Sequence, residues 1–334
     1  MPVKRTHEFQ IDNIRALAIM TVVVGHSIIL YSSSWGIYQP VQSSVLLDYI
    51  KRVINLYQMP LFFSLSGYLF AASGSEISFL RFIKKKALRI LIPFLTVGLF
   101  WMIPVKFLAG YPAYSSASYC GAVRMFLDGS DVGHLWYLPT LFCFFLISYL
   151  LCRLFQNRIS TWVIASILGL LASLLIGRIY GSNLLYRYLI YFTQFFWSFP
   201  FGALIFKLKH WKAGNPESQR IPLWAKVAVV VTCLVSIYAA LFLSEKLSLL
   251  SSLLILSTIY IVIPERKGLV FCALSKNSFG LYLFHSPLTY VTYSFALSYF
   301  PAAVFAINLL VWGTVAWLVT VCLRKIPLRF VIGE

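Results

Sequence analysis

The chain reads, from residue 13 to residue 30, Asn-Ile-Arg-Ala-Leu-Ala-Ile-Met-Thr-Val-Val-Val-Gly-His-Ser-Ile-Ile-Leu. This stretch is long and apolar enough to cross a lipid bilayer as a helix, yet it contains Arg15 and His26. Because a helix turns by about 100° per residue, the two side chains lie within about 20° of each other around its axis. They are about 16 Å apart along the axis, so both belong to one polar stripe.

Charged and titratable side chains inside a membrane helix are costly to bury and usually serve a function. Taken alone, Arg15 fits a residue that snorkels to the membrane surface, and His26 fits a packed, hydrogen-bonded interior histidine. Their alignment on one stripe favours a functional pair. We therefore regard Arg15 and His26 as candidate catalytic residues.

The composition is that of a membrane protein with many spans. Of the 334 residues, 60% are hydrophobic and 11% are charged, which excludes an ordinary soluble domain. Apolar stretches of about 18–23 residues predict ten transmembrane helices, near residues 13–33, 53–72, 87–109, 134–152, 160–177, 188–206, 223–243, 247–264, 278–297 and 301–323. The gaps are too short for a soluble catalytic domain, so any chemistry must take place in an all-α bundle and its loops.

The distribution of basic residues predicts how the chain is oriented. The formal net charge of +18 is compatible with nucleic-acid binding, but 20 of the 28 Lys and Arg residues fall in the N-terminus, the even-numbered gaps and the C-terminus. This asymmetry follows the positive-inside rule and places both termini in the cytoplasm. Contact with membrane lipids on the cytoplasmic side therefore explains the net positive charge, and no nucleic-acid partner is expected.

The six cysteines are scattered along the chain, and only Cys120 falls in a predicted outer loop. No disulfide framework or spacing typical of metal ligands is present. We expect no structural metal.

Two groups of residues in the sequence are candidates for binding a coenzyme A donor. The small patch of Ser64, Ser66 and Gly67 in the second span either allows close helix packing or leaves room for a thin acyl or pantetheine chain. Before the third span, the run 81–89 holds five cations: Arg81, Lys84, Lys85, Lys86 and Arg89. Arg81, Lys85 and Arg89 recur on one helical face, which suits either the phosphates of coenzyme A or an anchor on anionic lipid.

Asp48 is one of ten acidic residues in the chain and precedes the second span on the outer side. An acid that orients an imidazole makes it a better base, so Asp48 could serve His26. Alternatively, it balances the neighbouring charges of Lys51 and Arg52 at the start of a helix.

Further candidates lie in the fourth and ninth spans. His134, Trp136 and Tyr137 open the fourth span and fit either an ordinary interfacial aromatic belt or a platform on which a sugar stacks. His285 is a second intramembrane histidine in the ninth span, which strengthens the prediction of a polar interior.

Taken in this order, these motifs resemble the integral-membrane acyltransferase 3 family, close to the branch often labelled fucose 4-O-acetylase-like. They are Arg15 and His26 in the first span, Phe62-Phe-Ser-Leu-Ser-Gly-Tyr-Leu in the second, the basic entry to the third, His134-Leu-Trp-Tyr-Leu, and Ser278-Phe-Gly-Leu-Tyr-Leu-Phe-His285. The resemblance covers residues 9–325 as one transmembrane domain, followed by a short cytoplasmic tail at 326–334. Many relatives have Arg-x-x-Arg before the third span, whereas this chain has Lys86-Ala-Leu-Arg89.

The resemblance implies an enzyme of the bacterial cytoplasmic membrane. It would move an acyl group, usually acetyl, from cytoplasmic acyl-CoA to a hydroxyl of a cell-envelope glycan or a lipid-linked saccharide. We expect His26 to act as general base or transient acyl carrier, Arg15 to hold charge on the donor or acyl-enzyme, and Asp48 to orient or balance His26. The remaining expected contacts are acetyl-CoA at Arg81, Lys85, Lys86, Arg89 and Ser66, and the acceptor at His134, Trp136, Tyr137 and His285.

The rival hypothesis is a transporter or flippase for a polar envelope precursor. It would use the same buried polar stripe as a pathway, with no covalent chemistry. Release of free thiol from acetyl-CoA in the presence of acceptor distinguishes the two, because a transporter would leave the thioester intact.

Overall fold

Hydrophobic stretches of this length form helices because a membrane offers the backbone no other hydrogen-bonding partners. A computed structural model describes residues 8–33, 35–73, 78–176, 184–211 and 221–334, and within these ranges the chain forms twelve α-helices and no strand. The helices are α1 Phe9–Ser27, α2 Val45–Ser73, α3 Phe79–Leu108, α4 Tyr119–Leu127, α5 Tyr137–Leu154, α6 Ile159–Ile176, α7 Leu184–Phe195, α8 Ser198–Trp211, α9 Leu223–Phe242, α10 Ser248–Val262, α11 Leu269–Phe295 and α12 Pro301–Lys325. The all-α prediction is confirmed.

Each of the ten predicted spans overlaps a helix, with α7 and α8 together forming the sixth. Within the described ranges, six helical segments are long and apolar enough to cross a membrane. They contain α3, α5, α8, α9, α10 and α12. The chain is therefore an integral membrane protein, while the full count of ten crossings and the side of each terminus stay predictions. The long helices α1, α2 and α11 are not among the six, and they carry all three candidate catalytic residues together with Ser66 and His285.

Helix α1 lies at the centre of the bundle between α2 and α11. Ile14, Ala18 and Ile19 in α1 are completely buried, and Val22 is 1% exposed. In a membrane such contacts are held by close packing and interhelical hydrogen bonds, because lipid is as apolar as the side chains. The polar stripe of α1 consequently faces protein on most sides.

The small residues of α2 serve helix packing. A Cβ added to Gly67 would overlap the Phe199 carbonyl oxygen of α8, and one added to Gly202 would overlap the Ser64 carbonyl oxygen. These backbones therefore approach more closely than any larger residue would permit. Of the two interpretations of this patch, packing is confirmed for Ser64 and Gly67, whereas Ser66 points elsewhere.

Helix α1 begins and ends earlier than predicted, which moves His26 from mid-span to the last helical turn. Backbone carbonyls at a helix end need outside donors. Here the Tyr293 hydroxyl donates to the His26 carbonyl at 3.0 Å and the Asn308 amide donates to the Ser27 carbonyl at 3.1 Å. Side chains of α11 and α12 thus secure the end of α1.

Residues 326–334, expected as a cytoplasmic tail, pack back onto the bundle. A short 3₁₀ turn at Arg329–Ile332 contacts α3, and Ile332 is 2% exposed. Glu334 accepts hydrogen bonds from the Arg324 guanidinium, the Nε contact measuring 2.8 Å. We call this end of the bundle, where α1 begins, the inner end, and the opposite end the outer end.

Candidate active site

Three histidines from separate parts of the chain meet near the outer end of α1. His26 lies on α1, His134 lies in the turn before α5, and His285 lies on α11. The ring centroids are 4.9 Å apart for His26 and His285, 5.7 Å for His134 and His285, and 6.2 Å for His26 and His134. The structure therefore unites the expected base with two residues expected to bind the acceptor. We call these three residues the histidine cluster.

The hydrogen bonds of the cluster determine which ring nitrogen carries a proton. A carbonyl oxygen can only accept, so Nδ1 of His285 donates to the Leu281 carbonyl at 2.6 Å. In a neutral ring, Nε2 of His285 then has a lone pair and accepts from Nδ1–H of His26 across 3.1 Å. The His26 Nδ1 also lies 2.9 Å from the Val22 carbonyl oxygen. With its proton on Nδ1, a neutral His26 has a free lone pair at Nε2.

His134 is held by α11 in the same manner. Its Nε2 lies 3.1 Å from the Leu283 carbonyl oxygen, and the Tyr282 hydroxyl donates to the His134 carbonyl at 2.6 Å. The three imidazoles do not converge on one point, and within the described residues no group of three His, Cys, Asp or Glu side chains could hold a metal ion. Their arrangement suits proton transfer.

Asp48 does not approach the cluster. Its carboxylate accepts a hydrogen bond from the Ser33 amide at 2.9 Å, because the start of α2 lies beside the loop that follows α1. The ring of His26 is oriented instead by Val22 and His285. The structure therefore gives no contact through which Asp48 could orient His26.

At the inner end, Arg15 belongs to a small polar network. Its guanidinium donates to the Ser275 hydroxyl at 3.2 Å and lies 3.8 Å from the Asp12 carboxylate. The Ser275 hydroxyl donates to the same carboxylate at 2.7 Å. With 28% of its side chain exposed, Arg15 keeps access to the space that Arg89 also faces.

The expected donor cations of α3 divide into two groups. Arg81, Lys85 and Arg89 are exposed, as a phosphate-binding or lipid-facing surface requires. Lys86 turns inward and its Nζ lies 3.4 Å from the centroid of the Phe145 ring, which is a cation–π contact. Lys86 is thus separated from the face on which a phosphate would lie.

Two inner cations were missed by the sequence analysis. The Arg324 guanidinium donates to the Asn277 side chain at 2.5 Å and to the Lys276 carbonyl at 3.1 Å, which places Arg324 and Lys276 near Arg89. In the sequence, Arg324 and Lys276 belong to the 20 basic residues on the predicted cytoplasmic side, and nothing else distinguishes them. The polar residues Ser275 and Asn277 at the start of α11 were the available signal.

Ser66 is linked to the histidine cluster through the side chains of Tyr137 and Tyr282. Its hydroxyl lies 3.2 Å from that of Tyr137, and the Tyr137 ring contacts the Tyr282 ring at 5.5 Å between centroids. Tyr137 is therefore a buried residue that contacts both Ser66 and Tyr282. Trp136 stacks on Tyr191 at 4.2 Å, so that face of its indole is already covered. Neither residue forms the open sugar platform that was one of two expectations.

A different aromatic group covers the outer side of the cluster. We call it the outer aromatic group, and its members are Trp35, Tyr38, Tyr111, Tyr290 and Tyr293. Burial raises the pKa of Tyr38 to about 12 and raises that of Tyr111 as well. Both hydroxyls keep their protons at neutral pH, and that of Tyr38 is buried with no hydrogen-bond partner among the described residues.

Lys106 and Asp131 fasten the outer loop against this group. The Lys106 Nζ lies 2.6 and 2.8 Å from the two carboxylate oxygens of Asp131, and 4.3 Å from the centroid of the Tyr111 ring. No pattern in the sequence indicates this buried pair, because its two residues are 25 positions apart in the chain. Tyr290 and Tyr293, one helical turn apart in α11, were the available signal for the aromatic group.

Comparison with known proteins shows the family to which the chain belongs. A family model described as an acyltransferase domain matches residues 8–323. The chain belongs to the acyltransferase 3 family. The resemblance seen in the motifs is therefore confirmed at the level of the family.

Two curated relatives of this family member are both described as nodulation protein NolL. The protein from Sinorhizobium fredii (strain NBRC 101917 / NGR234) is 32% identical over 161 residues, which cover 46% of this chain and 39% of the relative. The protein from Mesorhizobium japonicum (strain LMG 29417 / CECT 9101 / MAFF 303099) is 26% identical over 197 residues, covering 58% of this chain and 49% of the relative. The matched part thus spans less than half of each relative. No solved structure gives a significant match.

Proposed function

We propose that this protein is an O-acyltransferase of the bacterial cytoplasmic membrane. It transfers an acyl group, with acetyl the expected one, from cytoplasmic acyl-CoA to a hydroxyl of an envelope glycan or lipid-linked saccharide. The observation that carries the proposal is the free Nε2 lone pair of His26, which follows from the hydrogen bond that its Nδ1 makes to His285. Family membership supports the same chemistry.

In the proposed reaction, His26 acts as general base. Its Nε2 takes the proton of the acceptor hydroxyl while that oxygen attacks the thioester carbonyl, and the C–S bond then breaks. The proton passes to the departing thiolate, which leaves as free coenzyme A. During the step the imidazolium keeps Nδ1–H on Val22 and His285, whose acceptor atoms stabilise the positive charge.

The inner cations supply the proposed donor site. Arg89, Arg324 and Lys276 lie around the inner end, and Arg15 stands between them and the cluster. The distance of about 16 Å from Arg15 to His26 along α1 must be bridged by the extended arm of the donor. The hydroxyls of Ser66 and Tyr137, 3.2 Å apart, are proposed to border the path of this arm.

The outer aromatic group supplies the proposed acceptor site. Tyr293 bonds directly to the backbone of His26, so the rings lie next to the reacting position. Aromatic faces and phenol hydroxyls suit the apolar faces and hydroxyls of a sugar ring. A fucose 4-O-acetylase-like specificity is one form of this proposal.

The decisive measurement is thiol release by purified protein. With acetyl-CoA and an envelope glycan extract, we expect acceptor-dependent release of free coenzyme A, and acetyl esters on the glycan detected by mass spectrometry. Acetyl-CoA that stays intact while a labelled envelope precursor crosses proteoliposome membranes would overturn the proposal in favour of a transporter.

A further inference from the structure

A lysine is buried close to the histidine cluster with no counterion among the described residues. Lys51 lies on α2 and is 4% exposed. Within the described residues it takes part in no ion pair. Removing an ammonium group from water is costly unless an anion or several hydrogen bonds compensate it. A buried cation of this kind calls for an anion.

The neighbours of Lys51 are occupied elsewhere. Asp48, one turn before it, accepts from the Ser33 amide. Arg52 points away to the Leu241 carbonyl, to which it donates at 2.8 Å. Arg52 and Lys51 are adjacent in sequence, but only Lys51 is directed into the interior. Lys51 is therefore not a simple member of a helix-end charge pair.

Lys51 points at the residue beside the proposed base. A Cβ added to Gly25 would lie 3.1 Å from the Lys51 Nζ and 3.0 Å from the Gln58 side-chain oxygen. That oxygen is buried and has no hydrogen-bond partner among the described residues. The charge of Lys51 is also close enough to act on the rings of His26 and His285.

We propose that Lys51 binds a phosphate or carboxylate group of the acceptor, while the carbonyl oxygen of Gln58 beside it accepts a hydrogen bond from a hydroxyl of the same molecule. The acceptor is thereby an anionic saccharide, held so that one of its hydroxyls meets His26. This assignment rests on the proposed function for the identity of the ligand, although anion binding itself does not depend on it.

Two observations favour an acceptor anion over other anions. The phosphates of the donor belong at the inner end, about 16 Å from His26 along α1, so they are too far to neutralise Lys51. An oxyanion formed during acyl transfer exists only briefly, whereas the ammonium is buried throughout. An anion that is present in the ground state compensates the charge as soon as the acceptor binds.

The binding test uses purified protein in nanodiscs of phosphatidylcholine. Its thermal midpoint is measured in sodium phosphate, sodium acetate and sodium chloride at equal ionic strength, with saturating coenzyme A throughout so that the proposed donor site is already occupied. Phosphate or acetate should raise the midpoint relative to chloride, and Lys51→Met should abolish this rise. Arg52→Met, the matched neighbouring cation, and Arg89→Met at the inner end should retain it.

Three results would overturn the subsite. They are a rise that persists in Lys51→Met, a rise that disappears in Arg89→Met, and a rise that disappears when phosphatidylglycerol is added to the nanodiscs. The first two place the anion elsewhere, and the third assigns the site to a lipid headgroup. Because the measurement needs no turnover, it also separates failure of this inference from failure of the proposed function.

A kinetic test addresses the acceptor directly. The kcat/KM values are compared for a sugar acceptor and its phosphorylated form. Lys51→Met should lower the preference for the phosphorylated form by about tenfold or more, mainly through KM, and Lys51→Arg should restore much of it. An equal loss of kcat with both acceptors would identify Lys51 as part of the acyl-transfer step and contradict the inference.

Discussion

At the scale of single residues, the proposed function depends on a hydrogen-bond relay between two imidazoles. The Leu281 carbonyl sets the tautomer of His285, and His285 with Val22 then sets that of His26. A base whose free nitrogen is selected in this way does not need a carboxylate partner. This explains how His26 can act while Asp48 is engaged with Ser33.

The first prediction tests His26. His26→Gln keeps a hydrogen-bonding side chain but removes the base, so kcat should fall by about 10²–10⁴. Acceptor-dependent thiol release measures the loss, and thermal unfolding confirms that the variant is folded. His210→Gln, which changes an exposed histidine at the inner end, should keep normal turnover. Near-normal turnover of His26→Gln would reduce His26 to a structural residue.

At the scale of the elements, α3 presents different surfaces to water and to the core. Arg81, Lys85 and Arg89 are exposed, while Lys86 rests on the Phe145 ring of α5. Residues one position apart on a helix differ by about 100° in direction, so one basic run can supply both a binding face and an interior contact.

The second prediction separates these two surfaces. Arg89→Glu should raise the KM for acetyl-CoA several-fold with a smaller change in kcat, because contacts far from the reacting atoms contribute largely uniform binding. Lys86→Met should leave that KM nearly unchanged and alter thermal stability instead. Steady-state kinetics with varied acetyl-CoA measures both. A larger effect on KM from Lys86→Met than from Arg89→Glu would reverse the assignment.

The third prediction concerns the contact of α2 with α8. Gly67→Ala places a methyl group against the Phe199 carbonyl, so the helices must separate, and a loss of about 1–3 kcal/mol is expected. Gly36→Ala is the matched control, because a Cβ at Gly36 would have no atom within 4 Å. Thermal or denaturant unfolding in detergent compares the two. Equal stability of both variants would show that the close contact is absent.

At the scale of the whole molecule, the polar groups are arranged in three levels. The cations around Arg15 and Arg89 lie at the inner end, the histidine cluster lies near the outer end of α1, and the outer aromatic group covers the cluster. This order matches a reaction whose donor and acceptor approach from opposite sides. Its direction in the cell depends on the predicted orientation of the chain.

The fourth prediction tests that orientation. Cys120 is exposed on α4 in the outer loop, so an impermeant maleimide should label it in intact spheroplasts. Cys120→Ser should remove most of the labelling, because Cys143 and Cys322 lie within α5 and α12 and are predicted to face lipid. Labelling that requires lysis of the cells would place this loop in the cytoplasm and invert the orientation.

The helices and the polar side chains within the spans could be predicted from the sequence alone, as could the asymmetric distribution of basic residues. These are local properties of the chain. An apolar stretch of about 20 residues must satisfy its own backbone hydrogen bonds in lipid, and the α-helix is the structure that does so within one segment. The candidates His26, His134 and His285 were identifiable for the same reason, since each stands out against its own surroundings.

Which of these side chains meet depends on the tertiary structure. In the folded chain, His26 contacts His285, Asp48 accepts a hydrogen bond from Ser33, and Trp136 stacks on Tyr191. Lys51 is buried near the histidine cluster, whereas its neighbour Arg52 donates to the Leu241 carbonyl. A helical pattern sets the direction of each side chain around its own axis, but not the neighbour found there. That neighbour depends on how the helices pack, and packing depends on close backbone contacts between residues more than one hundred positions apart, such as Gly67 with Phe199.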